Sequence, residues 1–82
     1  MPRYYFDLMH GEAFVKVKDE EGMELPDIGS AQIEATETLT DMVKDIVTRE
    51  TNRVGYPMSI EVRDSEGSLF LLSFTFSSHR KH

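Results

Sequence analysis

Apolar residues along this chain recur with a period of two in its outer parts and with helical spacing in the middle, and the changeovers divide it into five segments. In residues 3–9, Tyr4, Phe6 and Leu8 alternate with Arg3, Tyr5, Asp7 and Met9, the pattern of a strand with two unlike faces. His10-Gly11-Glu12 reads as a three-residue hairpin loop. Residues 13–18 alternate again, with Ala13, Val15 and Val17 opposed to Phe14, Lys16 and Lys18. Asp19-Glu20-Glu21-Gly22 ends this second strand, because Asp and Gly favour turns over strands. Leu25 is expected to anchor the loop to the core, and Pro26 keeps a helix from starting earlier.

The spacing then becomes helical. Ala31, Ala35, Leu39, Met42, Val43, Ile46 and Val47 fall on one face, while Glu34, Glu37, Asp41, Lys44, Asp45 and Arg49 lie mostly on the other. Asp27 or Ser30 is the expected N-cap, its oxygen accepting a free amide of the first turn. Acids dominate the early turns and Arg49 and Arg53 the end, as the helix dipole favours. Asn52 and Gly55 are the expected stop signals, placing the helix end near Thr51 with Tyr56-Pro57 beyond it.

A third strand is expected where Met58, Ile60 and Val62 alternate with Ser59, Glu61 and Arg63. Asp64-Ser65-Glu66-Gly67 makes a turn, and Leu69 to Phe76 is the fourth strand and the most apolar. Phe70, Leu72, Phe74 and Phe76 share one face; Leu69 and Leu71 lie with Ser73 and Thr75 on the other. Apolar residues on both faces predict a central strand, or one covered on both sides. The product is an α+β domain with the plan ββαββ: a four-stranded, mainly antiparallel sheet with one long helix packed on one face. It occupies residues 1–76 and leaves 77–82 as a flexible polar tail. Strand order is not encoded in such a pattern.

If Tyr4, Phe6, Leu8, Val15, Val17, Ile60, Val62, Phe70, Leu72 and Phe74 point at the helix, the other sheet face carries Tyr5, Met9, Phe14, Leu69 and Leu71. Five large apolar groups approach the size at which an exposed patch marks an interface. Arg3, Asp7, Lys16, Lys18, Glu61 and Arg63 would form its polar rim. The competing reading is that long Lys and Arg stems, or loops, cover these residues.

Composition narrows the classes of function. At 82 residues the chain buries a smaller fraction of its surface than larger domains do, and such domains often gain stability from disulfides, metals or oligomerisation. There is no cysteine, so disulfides, thiolate metal sites and cysteine nucleophiles are excluded. Fifteen acidic against nine basic residues give a net charge of −6, which phosphate backbones repel, so no nucleic-acid partner is expected. The opening residues lack the apolar run of a signal peptide, and no apolar stretch approaches membrane-spanning length. A cytoplasmic protein with no membrane partner is expected.

Met1-Pro2-Arg3-Tyr4-Tyr5-Phe6, the segment Glu21-Gly22-Met23-Glu24-Leu25-Pro26-Asp27, and Ile60-Glu61-Val62-Arg63-Asp64 before a glycine turn resemble a family of short bacterial proteins. That family, mostly from rhizobia and related proteobacteria, is catalogued as a domain of unknown function. The resemblance spans residues 1–76 and implies the same strand–strand–helix–strand–strand plan, with no activity or site residues to carry over. Gly29-Ser30 departs from the Ala-rich first turn expected of the family and predicts a frayed helix start. In outline only, the hairpin, Leu-Pro-Asp loop and helix are similar to small antitoxins that pair with RNA-cleaving toxins of the HicA type.

Candidate chemistry is sparse. Asp19, Glu20, Glu21, Glu24 and Asp27 form an acidic loop, but their spacing does not match a calcium loop, and a solvated turn feeding a helix N-terminus accounts for them. His10 stands alone in a turn, and His79 and His82 sit in the tail, so no metal motif is formed. No serine lies in a nucleophile motif, and the glycines are scattered one to a turn. The expectation is a protein without catalytic residues, cofactor or metal, acting as an interaction module. Homodimerisation through the second sheet face or an exposed edge strand leads; an antitoxin-like or regulatory partner of a basic protein is the alternative.

Overall fold

The structure, a computed structural model, describes residues 1–11, 15–49, 53–78 and 81. Its elements in chain order are β1 (Arg3–His10), β2 (Val15–Val17), β3 (Met23–Glu24), α1 (Ile28–Arg49), β4 (Arg53–Asp64) and β5 (Gly67–Ser78). All pairings are antiparallel, in the order β2-β1-β4-β5, with β3 pairing β1 further along the edge that β2 uses. The α+β plan is as expected. Ala13 and Phe14, the expected start of the second strand, lie outside the described residues, as do Thr51 and Asn52 at the expected helix end and residues 79, 80 and 82 of the tail.

The helix packs over β4. Met58, Ile60 and Val62 of β4 meet Ala31, Ala35, Leu39 and Ile46 of α1, with Tyr4 of β1 completing the buried set. Ala31 and Ala35 carry only a methyl each, which lets the helix backbone approach the sheet closely. Of the two expected caps it is Asp27 that serves: its Oδ1 accepts the Ser30 amide at 2.8 Å, and Ser30 lies inside the helix. The helix runs in order from Ile28 through Gly29, so no fraying is seen at its start. Thr36, Thr38, Thr40 and Thr48 donate their hydroxyls to carbonyls one turn back, which satisfies these polar groups on the helix itself.

Four expectations are corrected. The third strand begins at Arg53 rather than Met58, and so takes in Gly55, Tyr56 and Pro57, which had read as a helix exit. Between the pairs Arg53↔Ser78 and Tyr56↔Phe76, β4 carries one residue more than β5, a bulge at which Gly55 adopts φ +65°. Gly55 therefore bends a strand and does not stop a helix. Pro57 is tolerated because β1 ends at His10 opposite Met58; the Pro57 carbonyl accepts the Gly11 amide at 3.0 Å. Second, β5 runs two residues past its expected end, to Ser78. Third, Met23–Glu24 forms an unanticipated short strand beside Arg3 and Tyr4, followed by the Leu25 amide donating to the Pro2 carbonyl at 3.1 Å. Leu25 does pack against the core.

The fourth correction matters most. β5, read as central or doubly covered, is an edge strand. Burial falls away from β4 on both sides: Ile60 and Val62 are fully buried, whereas Val17 of β2 is 50% exposed and Phe74 of β5 45% exposed. Both had been placed under the helix. A single helix does not extend over the outer strands.

The core prediction is direct. Ile60→Ala removes buried methylenes beneath the middle of the helix and should cost about 2–5 kcal/mol, against about 0.5–1.5 for Ile60→Val, by urea denaturation with an unchanged m-value.

Candidate functional site

The sheet face away from the helix is organised by a polar latch that sequence reasoning missed. Asp7 points to this side in the middle of β1 and is 3% exposed. Its Oδ2 accepts Arg63 Nε at 2.8 Å and its Oδ1 accepts the Asp19 amide at 2.9 Å. Arg63 also donates through its second nitrogen to the Asp19 carbonyl at 2.8 Å, and its guanidinium lies 4.5 Å from the centre of the Tyr5 ring. Asp19 in turn accepts the amides of Phe6, Glu21 and Gly22, each at 3.1 Å. The segment from Lys18 to Gly22 is thereby strapped across β1. Arg3 reinforces it by donating to the Glu21 carbonyl at 2.8 Å and lying 3.5 Å from the Glu24 carboxylate.

Gly22 is required at the close of the strap. It has φ +73°, and a Cβ there would stand 2.8 Å from the Tyr5 ring, 2.9 Å from Arg3 Cγ and 3.0 Å from the Tyr4 carbonyl. The acidic loop thus owes its composition to structure. Asp19 is the strap's knot, Glu24 faces Arg3 and Asp27 caps the helix; among the described residues no group of acidic or histidine side chains is arranged to hold a metal ion.

Electrostatics follow from this geometry. Burial pushes the Asp7 carboxyl up, but the Arg63 hydrogen bond, the Asp19 amide and the positive charges of Arg63 and Lys16 outweigh it, leaving Asp7 below the ordinary value of 3.8. Asp19 is also lowered: burial and the Asp7 charge raise it, and the three backbone amides prevail. The hydrogen bond to Asp7 raises Arg63 further, so the cation is permanent.

Of the five residues expected to form an interface, the four described ones do not make one patch. Across the outer face the cross-strand rows read Tyr5–Arg63–Ser68, Asp7–Glu61–Leu71 and Met9–Ser59–Ser73. The outward residues of β4 are polar and separate Tyr5 and Met9 on β1 from Leu69 and Leu71 on β5. Tyr5 is half-buried in the latch and Met9 half-buried near Pro57, while Leu69 and Leu71 are 38% and 56% exposed. Phe14 lies outside the described residues. His10, expected to be alone, shares a 2.9 Å hydrogen bond between its Nδ1 and the Tyr56 hydroxyl, with the rings stacked at 6.3 Å.

Exposed large apolar side chains include Leu69, Leu71 and Phe74 of β5, besides Val17, Met23, Ile28 and Ile33 on other elements. On the helix side a groove of about 330 Å³ runs between Thr36, Leu39 and Val43 of α1 and Leu72 and Phe74 of β5. A separate hollow on the helix, beside Ile33, which is 63% exposed, shares Thr36 with it. On the outer side stand Leu69 and Leu71. The free edge of β5 lies between the two apolar surfaces, and no charged residue occurs from Gly67 to Ser78.

The latch makes stability depend on acid. Asp7 and Asp19 titrate lower when folded than the unfolded value of 3.8, so their contribution is complete above that pH and disappears as pH falls through the folded values. Asp7→Asn should lower the thermal midpoint at neutral pH, and its deficit should shrink below about pH 4. A deficit independent of pH would show that the carboxylate charge is not what Asp7 supplies. Gly22→Ala should cost more than about 1 kcal/mol, from its strained φ and the crowding of Tyr5.

No helix among the described residues is long and apolar enough to cross a membrane. No curated protein and no solved structure matches the chain. A family match covers residues 3–75, nearly all of the strands, strap and helix described above. The chain belongs to the family DUF6894, a domain of unknown function.

Proposed function

We propose that this domain is a non-enzymatic protein–protein interaction module that works as a homodimer through β5. One observation carries the reading: a twelve-residue strand with apolar groups on both faces and no charge stands at the edge of the sheet. Edge strands of soluble proteins are ordinarily shortened, bulged or charged to prevent pairing with other chains. The opposite edge follows that practice. There β2 has three residues and β3 two, with Lys16, Lys18 and Glu24 among them or beside them. β5 departs from it over most of its length, as a strand reserved for a partner would.

The net charge of −6 favours a second reading, in which the domain is an antitoxin-like or regulatory partner of a basic protein. Salt separates the two. Two like-charged copies repel each other, so self-association should tighten severalfold between about 20 mM and about 500 mM salt as that repulsion is screened. Capture of a basic partner should weaken over the same range. Sedimentation velocity and light scattering from micromolar to hundreds of micromolar test the homodimer. A monomer throughout, at both salts, removes it.

A further inference from the structure

We propose that the second copy joins by antiparallel β5–β5 pairing about a two-fold axis normal to the sheet at Ser73, giving one continuous sheet eight strands wide with both helices on the same side. This deepens the homodimer reading and rests on it.

The free edge comes first. Among the described residues, the last strand in the order β2-β1-β4-β5 has one side without a neighbouring strand, so the backbone groups on that side point away from the sheet. Antiparallel addition of a strand satisfies them all at once.

Register follows from the two irregularities in the hairpin. Between Val62↔Phe70 and Arg63↔Ser68, β5 carries one extra residue, Leu69, and this bulge interrupts the regular ladder near the turn. The bulge at Gly55 in β4 interrupts it at the other end, beyond Tyr56↔Phe76. The regular part of β5 is therefore Phe70 to Phe76, and its midpoint is Ser73. A two-fold axis there sets Phe70 opposite the copy's Phe76, Leu71 opposite its Thr75, Leu72 opposite its Phe74, and Ser73 opposite itself.

Every one of these pairs is compatible. On the helix side the row becomes aromatic–aromatic and aromatic–aliphatic throughout, the combinations that stabilise neighbouring strands. Leu72 and Phe74 line the open groove of their own protomer, so the copy's Phe74 and Leu72 arrive at the groove's exposed side. On the outer face Leu71 gains the methyl of Thr75. The axis passes beside a small polar residue, which meets its own image without crowding.

Charge selects a copy over a different protein. A strand from a basic partner would find no carboxylate on β5 to recognise, and a charged strand would be desolvated without compensation. A copy brings an equally uncharged strand, and it keeps the charged turn Asp64–Glu66 away from the axis. About 800 Å² per partner, the usual size of a stable interface, is about one seventh of the 5704 Å² surface. The regular ladder supplies seven residues of paired strand, roughly 20 Å long, and packing of the copy's Leu72 and Phe74 beside the helix-side groove has to contribute the rest of that area.

The chain has no cysteine, so a single introduced thiol reports its own geometry. Residues directly opposite in an antiparallel pair have Cα atoms about 4.5–5.5 Å apart, within disulfide reach. Ser73→Cys should give a disulfide-linked dimer under mild oxidation, whereas Ser68→Cys, far from its image, should not. Leu71→Lys places a charge beside the axis at an exposed position and should return the protein to monomer with its circular dichroism and melting retained. Concentration-dependent protection of β5 amides in hydrogen exchange supports the same pairing. A dimer by light scattering in which Ser73→Cys does not cross-link and β5 amides stay unprotected overturns the edge pairing and leaves self-association standing. A monomer at all concentrations overturns both.

Discussion

One helix has to shelter a sheet four strands wide, and most of the structure answers to that disproportion. With its side chains a helix is about 10 Å across, and strands repeat about every 4.8 Å, so full cover extends over roughly two of them. α1 spends that cover on β4. Met58, Ile60 and Val62 are buried by it, and the small side chains of Ala31 and Ala35 let it settle close. β1 and β5 receive partial shelter, and β2 receives little, which is why Val17 stays half-exposed although its pattern reads as core.

The second face has no helix at all, and the chain treats its two halves differently. Over β1 it lays the strap of residues 18–22 and ties it with charge. Asp7 would be costly to bury alone, but here it meets a cation, a backbone amide and, through Asp19, a second set of amides. No buried side-chain polar atom among the described residues is left without a partner. The same cation lies over Tyr5, so one of the five residues expected at the interface is engaged internally. Among the described residues nothing comparable is laid over β5. Polar Ser59 and Glu61 on β4 separate the two halves, and Leu69 and Leu71 remain in solvent.

The two edges of the sheet differ in the same sense. One consists of two short strands joined through the strap and bordered by lysines, a poor template for another chain. The other is long, uncharged and flanked by apolar groups above and below. A small chain without cysteine has no disulfide with which to reinforce its core. Membership of a family of unknown function leaves that surface as the feature from which a role has to be argued.

The local pattern by itself determined the number, kind and facing of the main elements. Period is a property of neighbouring residues: Tyr4, Phe6 and Leu8 must share one side of a strand, and Ala31, Ala35 and Leu39 one side of a helix, whatever they pack against. The Asp27 cap and the turn at Gly67 were legible for the same reason. Strand order was not, because the backbone groups that pair strands are alike in every residue and carry no mark of their partner. Only the tertiary structure could therefore bring Asp7, Asp19 and Arg63 together across 12 and 56 residues of separation, or turn Gly55 from an apparent helix stop into a bulge. It also decided that β5, with the composition of a central strand, would stand at the edge, since position in a sheet depends on which strands have already taken their neighbours.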